Sequence, residues 1–302
     1  MRMKIKNQTY DKAATFIFYL AAACVVLLLV LFTGYIFYHG RERLNLHFLT
    51  SSPVFMQTGG GIAPQLFNSL YLVLLSMIIT IPVGLAAGIY MAEYAKQNRL
   101  TRAIRFSIEA LASLPSIVIG LFGLLVFVNL TGWGYTLMSG ALAVSILNIP
   151  VITRLSEDAI RNVPSAIKEA SLALGATHWQ TIVRVVLPAA LPGLITGIII
   201  TAGRAFGEAA ALLYTAGMSS PHLDFTNLNP LDDASPLNPF RPAETLAVYI
   251  WKVNSEGLAP DSRQIADGAS AILLIAVLIF NIGARFLGRL LSTKFSGSNA
   301  PK

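Results

Sequence analysis

The chain has 302 residues, of which 55% are hydrophobic and only 12% charged. A soluble domain carries about 25% charged residues, so this composition, with a mean hydropathy of +0.64, excludes an ordinary soluble enzyme and indicates an integral membrane protein. The net charge of +7 would also suit a nucleic-acid-binding protein. The basic residues are instead divided among separate short segments between apolar runs, so we expect no nucleic-acid partner.

Six long apolar runs follow one another along the chain. A membrane-spanning helix needs about 20 mostly apolar residues, and continuous rather than alternating runs favour helices over a closed barrel. We therefore predict an all-α integral membrane protein with residues 1–68 as first span and external loop, 69–292 as the core and 293–302 as a tail. The six predicted transmembrane helices are Ala14–Tyr38, Ser69–Ala92, Leu111–Leu130, Tyr135–Val151, Val185–Thr215 and Ala269–Leu291.

Basic residues collect at every second connection between the runs. Lysine and arginine are enriched on the cytoplasmic side of membrane proteins, so this pattern predicts cytoplasmic termini, external loops at 40–68 and 216–267, and lipid around the spans. The second loop is either a solvated connector or a docking surface, with a short helix expected at 243–253. The basic groups are Arg2/Lys4/Lys6/Lys12, Lys96/Arg99/Arg102/Arg105, Arg154/Arg161/Lys168/Arg184 and Arg285/Arg289/Lys294/Lys302.

A short polar segment from Pro164 to Pro188 lies between the fourth and fifth runs. Gly175 suits a helix C-terminus, and Thr177 with Gln180 three residues later has the capping-box pattern of a helix start. The segment therefore predicts a hairpin of two helices, the second disturbed at Pro188. An amphipathic insertion on the cytoplasmic side indicates docking to a soluble partner; the alternative is a plain amphipathic loop on the membrane surface.

Two charged residues, Arg204 and Glu208, lie within the apolar fifth run. A charge at the centre of a membrane helix costs roughly 2.5–3.5 kcal/mol, and such residues usually face the bundle interior or a wet cavity. Their i,i+4 spacing allows a structural ion pair. The other interpretation is an anion pathway, because the planar guanidinium fork of arginine suits phosphate oxygens. Gly193, Gly197 and Gly203 of the same run predict close approach of a second subunit.

The sequence contains no motif of bond-breaking chemistry. It has no GxxxxGK[ST] phosphate loop, no Cys/His pair at metal-ligand spacing, no Gly-x-Ser-x-Gly elbow and no paired carboxylates. We therefore expect neither an enzyme nor a cofactor, and any energy source would belong to the partner of the hairpin.

The hairpin residues Glu169-Ala170-Ser171, Gly175, Ile182 and Leu187-Pro188 resemble the EAA loop of ABC-importer permeases, apart from Ser171 at a position usually held by alanine. The resemblance implies a type I ABC-importer permease architecture in which this loop inserts into a groove of the ATP-binding subunit. Glu169 would cap and orient the loop, and Gly175 would permit its bend. The implied coupling residues are Glu169, Ala170, Ser171, Ala173, Leu174, Gly175 and Ala176.

A second resemblance, over about residues 59–217, is to the phosphate-specific permeases of the PstA kind. It is carried by Gly203 to Glu208, Leu191 to Gly197, Gly59 to Pro64 and Leu114 to Val118; the chain departs from the pattern at Ala209 to Ala211. It implies an inner-membrane phosphate importer with a second similar permease, two copies of an ATP-binding subunit and an external phosphate-binding protein. Arg204 and Glu208 would lie on the substrate pathway. A sulfate or molybdate permease, or a secondary carrier, is the alternative.

Overall fold

The computed structural model describes residues 2–54, 57–257 and 259–296, and these are helical or irregular throughout, without β-strands. The all-α prediction is therefore confirmed for the described residues. The last six residues of the predicted tail, 297–302, lie outside them. The helices are α1 (Arg2–Gly40), α2 (Leu46–Thr50), α3 (Ala63–Ile89), α4 (Arg99–Ala112), α5 (Ser116–Gly123), α6 (Leu137–Arg161), α7 (Ser165–Ala173), α8 (His178–Thr181), α9 (Leu187–Phe206), α10 (Ala210–Leu213), α11 (Leu246–Glu256) and α12 (Ser262–Ser296).

Five of the predicted spans are single helices long and apolar enough to cross a membrane. They are Tyr10–Arg43, Ala63–Tyr94, Leu137–Arg161, His178–Phe206 and Ser262–Leu290. A sixth span exists only if a bent pair of helices counts as one.

That bent pair corrects the predicted third span, Leu111–Leu130. The chain turns by 95° between α4 and the helix Ser116–Leu130, which continues α5 as a π-helix. Pro115 stands at the turn with extended backbone angles, φ −60° and ψ 136°. A proline fixes its own φ and disfavours a helical residue before it, so the apolar run divides there.

The predicted fifth span, Val185–Thr215, also needs correction, because its helix begins earlier and ends earlier than expected. The helix does not break at Pro188: it runs from His178 to Phe206 and then ends at Gly207 instead of reaching Thr215. A π turn, Ile182–Val186, directly precedes the proline. In a π turn the hydrogen bonds join residues five apart, so the widened turn accommodates a proline ring that lacks an N–H.

The core lies where α3, α6 and α9 meet. Leu72 and Met77 of α3, Val144 of α6 and Phe206 of α9 belong to one buried cluster. The helices α3 and α6 approach closely, since a Cβ on Gly88 would lie 2.5 Å from the Cβ of Ser156.

The small residues of α9 are occupied inside the chain, which corrects the prediction of a subunit interface there. A Cβ on Gly193 would lie 2.9 Å from Ala159, and one on Gly197 would lie 3.0 Å from Leu155, both on α6. A Cβ on Gly203 would lie 3.2 Å from Asn281 Oδ1 of α12. The glycines therefore bring α9 against two helices of its own chain, and the exposed face of α9 is a different one.

The long connection predicted to be external is packed in part: residues 235–249 are mostly buried, whereas residues 224–233 are mostly exposed. Its irregular part precedes α11, which begins three residues later than the short helix expected at 243–253 and ends at Glu256. Phe48 of the first loop packs with Leu246, Tyr249 and Ile265 in a second buried cluster. The two loops that are predicted to be external thus form one cap over the ends of α3 and α12.

Candidate functional site

The segment between α6 and α9 forms the predicted hairpin. Helix α7 ends at Ala173, the chain reverses at Gly175 with a φ of +85°, and α8 begins at His178. The capping box is present, because Thr177 accepts from the Gln180 backbone N–H at 3.3 Å and donates its own backbone N–H to the Gln180 side chain at 2.9 Å. Local sequence signals therefore predicted this element correctly.

The hairpin protrudes from the helical bundle and exposes apolar side chains. Leu174 is 90% exposed at the tip, and Ile167, Leu172 and Trp179 are exposed beside it. Exposed apolar patches on a protruding element are typical of interaction sites. Of the residues assigned to coupling, five are exposed (Glu169, Ala170, Ala173, Leu174 and Gly175) and two are half-buried (Ser171 and Ala176).

The capping role implied for Glu169 is not seen. Its side chain forms no hydrogen bond or ion pair with any residue that the structure describes, and it is exposed. The turn is stabilised by Thr177 and Gln180 instead. The carboxylate of Glu169 is therefore left facing outward, where a partner can reach it.

The base of the hairpin is tied to the end of α3 by a carboxylate that sequence analysis missed. Glu93, 8% exposed at its side chain, forms an ion pair with Lys168 of α7. Its other oxygen lies 3.8 Å from His178 Nε2, and the His178 ring meets Tyr94 edge-on at 5.0 Å. Ser171 and Thr181 join the two arms at 3.0 Å. The hairpin is thus a firm extension of the bundle.

A second buried carboxylate on the same side joins α4 to α6. Glu157, 5% exposed at its side chain, pairs with Arg105 at 2.8 Å and with Arg161 at 3.0 Å. Arg161 also donates to the carbonyl oxygen of Met91 at 3.2 Å. The sequence signal for each cluster was an acid close to a strongly basic segment, with Asp158 directly beside Glu157. A count of charges along the sequence treats such an acid as exposed.

Arg204 and Glu208 do not form the ion pair that their spacing allows. Helix α9 ends at Phe206, so Glu208 lies beyond it, and its Oε1 accepts from the backbone N–H of Ala211 at 3.3 Å. Arg204 is exposed in the last turn of α9 and forms no ion pair with any described residue. Arg204 is instead a cation at the C-terminus of α9, and Glu208 is an anion at the N-terminus of α10. Both positions are favourable in the field of the helix dipole.

Two buried charges of the outer loop were also missed. Arg241 is 1% exposed and donates to Asn68 Oδ1 at 2.8 Å and to the carbonyl oxygens of Ser235 and Pro236; burial lowers its pKa to about 10. Glu244 accepts from Gln65 at 3.0 Å and from Lys252 at 3.1 Å, and burial raises the pKa of Glu244. These contacts fix the loop to the start of α3. No local pattern marks them, because the partners are far apart in sequence.

Residues 84–297 match the family of binding-protein-dependent transport system inner membrane components. The chain therefore belongs to this family and is the permease subunit of an ABC importer. It is a multi-pass membrane protein.

Known relatives are similar to this chain over most of its length. The chain is 54% identical over 288 residues, 95% of its length and 98% of the relative's, to the probable ABC transporter permease protein YqgI of Bacillus subtilis. It is 33% identical over 249 residues, 82% of each protein, to the phosphate transport system permease protein PstA of Xylella fastidiosa. The PstA protein of Haemophilus influenzae is 32% identical over 250 residues, again 82% of each.

Solved structures share the fold. A chain of the bacterial alginate ABC transporter in complex with alginate pentasaccharide-bound periplasmic protein superposes with a TM-score of 0.62 at 17% identity, covering 90% of this chain and 93% of that one. An inward-facing chain of the MetNI methionine ABC transporter gives 0.55 at 21% identity, covering 76% and 94%. The predicted type I ABC-importer permease architecture is confirmed.

Proposed function

We propose that this chain is one permease subunit of an ATP-driven importer of inorganic phosphate. One observation carries the proposal: the exposed hairpin and Arg204 lie at opposite ends of the uninterrupted helix His178–Phe206. At ~1.5 Å per residue, His178 and Arg204 are roughly 39 Å apart along it. Movement of the hairpin by a soluble partner is therefore transmitted to the level of Arg204 by a rigid element.

The cargo follows from the relatives and from the charge of Arg204. Proteins 32–33% identical over most of this chain are phosphate transport permeases. Arg204 offers a planar fork of donors that matches phosphate oxygens, and no described acid neutralises it. An anion crossing the membrane needs such a fixed positive charge in a low-dielectric path. Glu208, before the start of α10, lowers the affinity of the Arg204 region for phosphate, so that phosphate is released.

The partners follow from the surfaces. The exposed apolar tip of the hairpin around Leu174 would dock to an ATP-binding subunit, present in two copies. A second, similar permease would complete the pathway against the exposed face of α9, and an external phosphate-binding protein would deliver the cargo to the outer cap. Both termini and the hairpin lie in the cytoplasm, in agreement with the distribution of basic residues. Closure of the two ATP-binding subunits moves the hairpins and exposes the Arg204 region to alternate sides.

Uptake measurements in cells that lack other phosphate importers test the cargo. The chain is expressed with its second permease, ATP-binding subunit and external binding protein, and initial uptake of labelled phosphate, sulfate and molybdate is compared. We expect phosphate uptake to dominate and excess sulfate not to compete. Faster uptake of sulfate or molybdate would overturn the phosphate assignment and leave the importer class intact.

A further inference from the structure

Helix α7, the first arm of the hairpin, is held by polar contacts rather than by apolar packing. None of its nine residues is buried. Its side chains make two polar contacts with described residues: Ser171 meets Thr181 of α8 at 3.0 Å, and Lys168 forms an ion pair with Glu93. The first contact joins the two arms of the hairpin to each other. The second joins α7 to the end of the span that contains α3.

The carboxylate of Glu93 contacts both arms of the hairpin. One oxygen pairs with Lys168 of α7, and the other lies 3.8 Å from Nε2 of His178 at the start of α8. The side chain of Glu93 is only 8% exposed, so solvent ions screen these contacts little. Desolvation offsets much of the attraction in such a pair, so its effect lies more in fixing one orientation than in adding stability.

The opposite end of the same helix is fastened to the outer cap. Asn68, fully buried, donates to the Glu244 carbonyl oxygen at 3.0 Å and accepts from Arg241 at 2.8 Å. Gln65 donates to the Glu244 carboxylate at 3.0 Å. Gln65 and Glu93 lie on one continuous helix, roughly 42 Å apart at ~1.5 Å per residue. The hairpin and the outer cap are therefore attached to the two ends of one helix.

We propose that Glu93 is a positioning residue that joins the hairpin to α3, and that α3 carries the arrangement of the outer cap to the hairpin. Helix α9 leads from the hairpin to Arg204, whereas α3 is a second connection and leads to the surface proposed for the external binding protein. Coupling between two sites is reciprocal, so docking of the binding protein and closure of the ATP-binding subunits favour each other through α3. The inference rests on the proposed function for the identity of these partners; the orientation of the hairpin by Glu93 does not.

The first measurement uses the full-length chain alone in nanodiscs and needs no partner. Hydrogen exchange of the α7 backbone amides is compared among the natural chain, E93Q, K168Q and the charge swap E93K/K168E. The matched controls are E109Q and R154Q, because they break an exposed ion pair of 3.0 Å between α4 and α6. We expect α7 to exchange at least about fivefold faster in E93Q and K168Q, since each leaves a partly buried charge without its partner. The charge swap should restore protection.

The second measurement is the factor by which the external binding protein stimulates ATP hydrolysis by the assembled complex. Coupling between two sites typically changes an affinity by about 5- to 150-fold, so we expect E93Q and K168Q to lower the stimulation at least about fivefold. E93K/K168E should recover most of it. The rate is normalised to the ATP-binding subunit that copurifies, because a residue that only stabilises the fold changes the amount of complex and not the stimulation of each complex.

Unchanged exchange of α7 in E93Q and K168Q overturns the proposal, as does an equal rise in exchange in E109Q or R154Q. Faster exchange with normal stimulation overturns the link to the outer cap. A natural complex that the binding protein does not stimulate would refute the proposed importer function, and the exchange data would still decide whether Glu93 orients the hairpin. If E93Q does not insert, K168Q decides the question, because Lys168 lies outside the candidate spans.

Discussion

Arg204 is the residue on which the proposed phosphate path depends. Replacing it by glutamine removes the charge and keeps some hydrogen bonding. We expect Arg204→Gln to lower the initial rate of phosphate uptake by at least about tenfold, the equivalent of one charge-assisted hydrogen bond. Arg204→Lys should restore little, because lysine lacks the planar fork. The rate is measured with labelled phosphate and normalised to the amount of assembled complex.

The contacts of Glu208 predict how Arg204→Gln affects assembly of the importer complex. Since the Glu208 side chain accepts from the Ala211 backbone and not from Arg204, Arg204→Gln should leave no buried charge without a partner and assembly should be normal. The double variant R204Q/E208Q provides the control. Normal phosphate uptake in the double variant would refute a direct role of Arg204 in transport.

Glu244 gives the outer cap a pH dependence. Burial is the main cause that raises the pKa of Glu244 above its ordinary value of 4.5. A carboxyl group whose folded pKa is raised binds protons more tightly in the folded state, so its contribution to stability is full below the unfolded pKa and is lost as pH rises through the folded pKa. Relative to Glu244→Gln, the natural protein should therefore lose stability as the pH rises above the ordinary pKa of 4.5.

Thermal unfolding of the purified protein in detergent measures this difference. Glu42→Gln, at an exposed position of the loop that follows α1, serves as a charge-matched control. A difference between natural protein and E244Q that grows with pH would show that the ion pair with Lys252 outweighs burial, contrary to our expectation.

At the scale of elements, the hairpin tip should carry the contact with the ATP-binding subunit. Leu174 is 90% exposed, so Leu174→Ser leaves the fold unchanged and removes apolar surface from the contact. Truncation of a well-packed interface anchor costs at least about 2 kcal/mol, so retention of the ATP-binding subunit on copurification should fall roughly thirtyfold. Ala166→Ser, also exposed on α7, is the control. Normal retention by L174S would place the contact elsewhere.

The elements that could be predicted from the sequence are those specified locally. The glycine with positive φ and the capping box are read from neighbouring residues, so the hairpin was found. Counting apolar residues does not register direction, so the 95° turn at Pro115 was missed. The continuity of the helix at Pro188 depends on a π turn, which no simple residue pattern marks.

The candidate site was predicted only in part for a similar reason. Arg204 and Leu174 stand out as a charge in an apolar run and as part of a recognisable motif. Glu93, Glu157 and Glu244 are buried by contacts with residues 52 to 179 positions away, and single-sequence patterns do not record such contacts. The sequence therefore left the loop open between a solvated connector and a docking surface, and its buried part was not predicted.

At the scale of the whole molecule, topology is the first prediction. The hairpin should be cytoplasmic and the outer cap external. In a Cys24→Ala background, single cysteines at Thr177 and Leu231 are exposed to an impermeant thiol reagent added outside intact cells. Leu231 is 89% exposed, whereas Asn238 of the same loop is 5% exposed and unsuitable for labelling. Only position 231 should react; labelling at position 177 in intact cells would reverse the orientation.

The central claim is that ATP hydrolysis by a partner at the hairpin drives phosphate through this chain. The most direct measurement is phosphate accumulation in proteoliposomes that contain both permeases and the ATP-binding subunit, with binding protein outside and ATP on the hairpin side. Gly175→Pro is compared with the natural chain, because proline cannot adopt the φ of +85° at the hairpin turn. We expect accumulation that requires ATP and binding protein and that Gly175→Pro abolishes while the chain still inserts. Phosphate accumulation without ATP, or at the natural rate in G175P with normal association of the ATP-binding subunit, would contradict the account.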